Sequence, residues 1–151
     1  MKKFLTLFLA IFASLIVLSA CGTKNVVTTT IDDSTAVIVV ADSSVMEISE
    51  KTTFKDYLDA LKTKGDIDFE GYESSYGFYI TSINGTAESS ADKTYWAVFV
   101  DFTQLDNDST IYATDYQTVT YKDKTLYSAS YGVSGLPCVE GHTYAFVLST
   151  Y

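Results

Sequence analysis

Between Tyr76 and Asp101 the chain carries two apolar arms, Tyr76-Gly77-Phe78-Tyr79-Ile80-Thr81-Ser82-Ile83-Asn84-Gly85 and Thr94-Tyr95-Trp96-Ala97-Val98-Phe99-Val100-Asp101. Both are dense in aromatic and β-branched residues, the types that fit a pleated, buried surface. In an extended chain the second arm puts Trp96, Val98 and Val100 on one face and Tyr95, Ala97 and Phe99 on the other. A strand apolar on both faces needs cover on both, so the arms predict two adjacent central strands of a covered sheet. Asn84-Gly85 supplies the positive-φ residues that end the first arm, and the polar run from Ala87 to Lys93 predicts an exposed connection.

The elements around these arms follow from periodicity. Thr35 to Ala41 is a short apolar run that predicts a buried strand, and the alternation in Val45-Met46-Glu47-Ile48-Ser49 predicts a half-exposed hairpin partner. Phe54, Tyr57, Leu58 and Leu61 then fall at helical spacing. Thr53 stands as N-cap with Asp56 three positions on, and Lys62, Lys64 and Gly65 form the stop, which together predict one helix. The polar residues 66–75, with Phe69 and Tyr72 among them, would carry the chain across the sheet. Tyr112, Tyr116, Thr118, Thr120, Tyr121, Tyr127 and Tyr131 alternate or nearly alternate around a Lys122-Asp123-Lys124 turn, which predicts an added hairpin. Thr143 to Thr150 would close the sheet. One helix on a sheet is the layering such an order requires.

The first residues have a different character. Lys2 and Lys3 precede an apolar run from Phe4 to Val17, and Leu18-Ser19-Ala20-Cys21-Gly22 ends it with small residues and a cysteine. This predicts a lipoprotein signal peptide over residues 1–20, with Cys21 acylated and cleaved as a bacterial lipobox cysteine. An ordinary signal peptide with an incidental cysteine is the alternative. Several acyl chains anchor far more firmly than one myristoyl group, so the expected place is the extracytoplasmic face of a bacterial cell membrane. Residues 21–35, short of apolar groups, read as a flexible tether with a span of about 20 Å. One domain over residues 36–151 remains.

Losing Lys2 and Lys3 would move the formal net charge from −9 by two more units to −11. The chain has no arginine to present a forked guanidinium, so nucleic acid is excluded as a partner class and anionic headgroups are poor ones. With Cys21 lipidated, Cys138 has no partner for a disulfide. His142 is the one histidine, four residues after Cys138. A Cys-His pair needs an orienting third group, and nothing in the sequence marks Cys138 as activated. His142 therefore reads as a solvated turn residue. Asp106-Asn107-Asp108 lacks the glycine and glutamate of a calcium loop, with Ile111 and Gln117 at those positions. No catalytic residue, metal site or cofactor is expected. Twelve tyrosines stand out. They suit a recognition surface, and they equally suit plain strand filling.

The run Gly77 to Gly85, followed by Tyr95-Trp96-Ala97-Val98-Phe99-Val100, by Tyr131-Gly132-Val133 and by Glu140-Gly141-His142-Thr143-Tyr144-Ala145-Phe146-Val147, resembles the transcobalamin-like C-terminal domain. That family includes many bacterial surface lipoproteins of unassigned function. The resemblance covers residues 36–151. It implies an α+β, β-grasp-like mixed sheet packed on one helix, here with an extra β-hairpin, and a domain that binds rather than catalyses. In transcobalamin and intrinsic factor the corresponding domain closes over cobalamin held against a helical barrel, with the Tyr-Trp strand at the ligand. Carried over by position, this implicates Trp96, Ala97 and Val98, with Tyr79 and Tyr95 as the aromatic residues nearest the motif. No counterpart of the barrel is read in this sequence. The resemblance therefore implies a cobalamin-like or other small molecule shared with a partner protein or transporter. A structural or adhesive module acting through surface protein contacts is the alternative. Phe102 departs from the family pattern where a glycine is usual, as do the roughly thirty residues that precede Gly132.

Overall fold

The computed structural model describes residues 24–151; the signal reading over residues 1–20 and the lipidation reading at Cys21 lie outside the described residues. The elements in chain order are β1 Val26–Ile31, β2 Ser34–Val40, α1 Phe54–Lys64, β3 Phe69–Ser74, β4 Gly77–Ile83, β5 Thr86–Ala87, β6 Thr94–Val100, β7 Ala113–Tyr121, β8 Lys124–Ala129 and β9 Thr143–Thr150. Six strands form one sheet in the order β1-β2-β9-β6-β8-β7, and β3-β4-β5 form a second. Every pair of these strands is antiparallel. The fold is α+β and β-grasp-like, a sheet packed on a single helix with an extra hairpin, as expected. No helix among the described residues is long and apolar enough to cross a membrane.

The helix forms where its local signals put it. The Thr53 hydroxyl accepts from the Asp56 N–H and the Asp56 carboxylate accepts from the Thr53 N–H, so two orphan amides of the first turn are satisfied together. Gly65, at φ 80°, takes the left-handed position that ends the helix with its N–H on the last carbonyls. Phe54, Tyr57, Leu58 and Leu61 are all fully buried. Phe54 stacks on Tyr144 of β9 at 3.9 Å between ring centres, locking the helix to the middle of the large sheet.

The two faces of β6 divide as the alternation predicts. Trp96, Val98 and Val100 join the cluster under α1, whereas Tyr95, Ala97 and Phe99 join a second one on the opposite face with Ile38, Leu126 and Val147. Among the described residues no helix covers that second face. Instead the sheet curls until its edge strands β1 and β7 approach each other, bringing Ile31 and Val119 over the same cluster. The extra hairpin β7–β8, turned at Lys122-Asp123, supplies half of this cover.

Four expectations are corrected. The two apolar arms are not neighbours in one sheet: β4 pairs with β3 and β5, while β6 lies between β9 and β8. A tight hairpin at Ser74–Gly77 captures β4 with the segment just before it, so residues read as a crossing are mostly strand β3. Val45–Ser49 forms no strand; Val45, Met46 and Ile48 pack against the core from a loop. Finally, the tether reading over residues 21–35 fails at Val26–Ile31, which is strand β1. Its β-branched run folds back through a two-residue turn at Asp32-Asp33, φ 48° and 64°, and pairs with β2, whose other edge takes β9.

Candidate ligand groove

The groove arises because β6 and β8 part company. Their ladder holds only Phe99↔Ser128 and Val100↔Tyr127, while β6 stays paired with β9 from Thr94 to Val100. Beyond Ser128 the chain leaves β6 and crosses to β4. There Gly132 N–H donates to the Tyr76 carbonyl at 2.6 Å and Val133 N–H to the Phe78 carbonyl at 3.1 Å. The crossing needs a glycine: a Cβ on Gly132 would sit 2.6 Å from the Phe78 carbonyl oxygen. A wedge-shaped groove of about 240 Å³ is left between β4, the free side of β6 and the Ser128–Gly132 segment.

All five residues singled out in the sequence, Tyr79, Tyr95, Trp96, Ala97 and Val98, line this one groove. They do not contribute alike. Trp96 is only 3 % exposed, and its indole N–H donates to the Thr86 carbonyl at 3.0 Å, tying β5 to β6. It is core that forms a wall. Tyr79 and Tyr95 are half-buried and offer ring surface. The Tyr79 hydroxyl donates to the Glu88 carboxylate at 2.6 Å, and burial together with that hydrogen bond pushes its phenol well above the usual value. Tyr79 therefore stays neutral with its ring fixed. Its ring also meets Tyr72 at 5.5 Å, and Tyr95 meets Tyr151 at 6.1 Å, so the groove opens into a run of tyrosines.

Among the further lining residues that were not singled out as site residues, Tyr76, 72 % exposed, Tyr131 and Gln117 add aromatic and amide groups. Tyr131 adjoins Gly132 inside a motif already noted, which was the available signal. Gln117 enters through a register shift in β7 between Thr114 and Thr118, which sequence periodicity does not reveal.

A larger hollow of about 760 Å³ lies elsewhere, between the Ile48–Glu50 and Leu105–Asp108 loops and the Pro137–His142 segment. It holds the Cys138 and His142 pair. The Cys138 thiol is buried, and burial pushes it up to about 12. His142 is corrected from a solvated turn residue: its Nδ1 lies 2.7 Å from Asp101 Oδ1, with the ring edge-on to Phe102. Lys124 Nζ reaches the other Asp101 oxygen at 2.8 Å. Burial alone would raise the Asp101 carboxyl, but hydrogen bonds from Lys124, His142 and the Thr143 N–H outweigh it and hold the group below the usual range. The imidazole thus serves a carboxylate, not the thiol. Asp108 accepts from the Tyr112 hydroxyl and the Thr110 N–H. Among the described residues no cluster of His, Cys, Asp or Glu is arranged to hold a metal ion.

Residues 55–109 match a domain of unknown function, DUF4430. The matched stretch runs from α1 through β6 and contains all five of the groove residues named above. No curated protein and no solved structure matches the chain.

Proposed function

We propose that the chain is a membrane-anchored extracytoplasmic lipoprotein whose domain is a non-catalytic binding module, with the Tyr79–Tyr95–Trp96 groove as one wall of a shared site. The observation that carries this reading is the convergence of five motif residues on a single aromatic groove. Its size argues for sharing. About 240 Å³ falls short of the roughly 300 to 1,000 Å³ in which small molecules are usually enclosed. A cobalamin-like ligand, or another small molecule of that class, would need a partner protein or a transporter to supply the facing wall. The resemblance to transcobalamin-like domains supports the same division of labour.

Calorimetry tests it. The chain, titrated with cobalamin and cobinamide, is expected to give little or no heat; micromolar or tighter binding by the chain alone would overturn the shared-site reading. Where a partner is present, binding should appear and Tyr79→Ala should weaken it, by about 2 kcal/mol if the ring is a principal contact.

The anchor belongs to the same proposal. With acylation at Cys21 and β1 starting at Val26, only residues 22–25 separate lipid from fold, so the domain would work against the membrane surface. A second reading, a structural or adhesive module acting through protein contacts, is favoured by the exposed rings of Tyr72, Tyr76, Tyr116 and Tyr151.

A further inference from the structure

The hollow around Cys138 and His142 has the size that the aromatic groove lacks. At about 760 Å³ it falls within the roughly 300 to 1,000 Å³ in which small molecules are usually held, and it shares no lining residue with the groove. Hydrogen bonds build its three walls in advance. In the first, the Ser49 N–H donates to the Thr52 hydroxyl, and the Thr52 carbonyl accepts from the Cys138 N–H. In the second, the Asp108 N–H closes on the Leu105 carbonyl and the Gln104 side-chain amide donates to the Asp108 carbonyl. In the third, the Tyr144 hydroxyl donates to the Pro137 carbonyl and accepts the Val139 N–H.

Two kinds of side chain line the space. Ile48, Leu105, Tyr112, Pro137 and Val139, all half-buried, supply apolar surface. Glu50, Asp106 and Glu140 bring one exposed carboxylate from each wall, and no lysine is among the lining residues. Glu140 takes the Ser43 hydroxyl on Oε1. His142 adds an acceptor of a different kind: in the neutral ring Asp101 holds the proton on Nδ1, which leaves the lone pair on Nε2.

We propose that this hollow binds an organic cation, an ammonium group carried on an apolar body. The body lies against Leu105, Tyr112 and Val139, and the ammonium N–H groups are shared among the three carboxylates and His142 Nε2. Like charges around one opening repel one another, and an ammonium among them relieves that repulsion while forming charge-assisted hydrogen bonds. The described acidic and histidine side chains form no group arranged to hold a metal ion, and a hydrated ion would make no use of the apolar walls. An anionic ligand would meet the same carboxylates as a barrier. The site depends on neither the aromatic groove nor the anchor.

A residue-resolved NMR titration of the full chain at neutral pH tests it, with phenethylamine as the cation and 2-phenylethanol as a neutral probe of similar shape. The cation is expected to shift the Ile48, Leu105 and Val139 amides saturably and to bind at least about tenfold more tightly than the alcohol. Glu50→Gln, Asp106→Asn and Glu140→Gln combined should weaken it about tenfold, because exposed ion pairs each contribute modestly. The same charge change at exposed positions outside the hollow, Asp33→Asn, Glu70→Gln and Asp92→Asn combined, should leave the affinity within about twofold, since salt screens charges at that distance. Equal weakening by the two sets would reduce the effect to general attraction by an acidic protein and overturn the proposal. Equal binding of the alcohol, shifts that spare the hollow, or no saturable binding up to about 10 mM would refute it as well.

Discussion

Trp96 shows how one side chain can carry both the fold and a groove. Its ring fills the cluster under α1, its N–H holds β5, and one edge faces the groove. Trp96→Ala is expected to cost about 3 to 5 kcal/mol through the cavity it leaves, measured by urea unfolding. A loss under about 1 kcal/mol would mean the ring is not core. Asp101 makes a second prediction at this scale. Its folded carboxyl is held below the ordinary value of about 3.9, so its contribution is fully present above that pH and is lost as pH falls through the lower folded value. Asp101→Asn should cost about 1 to 3 kcal/mol near neutrality, and the gap between variant and parent should shrink as pH drops below about 4. A gap constant from pH 7 to 3 would mean that the carboxylate charge is not what the three donors stabilise. The sequence showed the residues of this cluster but not the cluster, because Asp101, Lys124 and His142 meet only after β6, β8 and β9 are side by side.

Among the elements, what was legible depended on how local its cause was. Helix α1 is specified by its own residues, from the Thr53 cap to the Gly65 stop, and it lies where the periodicity put it. Thr53→Ala removes the hydroxyl half of the capping box, leaving the residue-53 N–H on the Asp56 carboxylate, and should lower stability by about 1 kcal/mol with an unchanged denaturant slope. Unaltered stability would show that tertiary packing alone sets the first turn. Strand faces were equally legible, since alternation in β6 sorted two core clusters correctly. Strand partners were not. Nothing within β4 or β6 says that β4 will be captured by β3, and the threonines of β1 looked like tether because their hydroxyls hide a β-branched run. The positive-φ Asp32-Asp33 turn between two such runs was the signal that could have found it. The groove shared both fortunes: its walls could be named from motifs, but the gap depends on β8 leaving β6 after two pairs.

For the whole molecule, the proposed anchor makes the distance between a lipid on Cys21 and the fold the decisive quantity. A tether ending at residue 35 would have let the domain wander about 20 Å from the headgroups. With β1 beginning at Val26, a lipid on Cys21 would be only four residues from the fold, so on the proposed reading the domain would be held at the surface, where a partner embedded in the same membrane would supply the groove's facing wall. An acidic chain without arginine gains little from anionic headgroups, so on this reading acyl chains at Cys21 are what keep it there. Cys21→Ala should therefore shift the protein from the membrane fraction to the soluble one, and the mass of the membrane-bound parent should exceed that of the processed polypeptide by its acyl groups. A Cys21→Ala chain that stays membrane-bound after signal cleavage, with no partner expressed, would remove the lipid anchor from the proposal. The groove would then need a partner that retains the domain by protein contact alone.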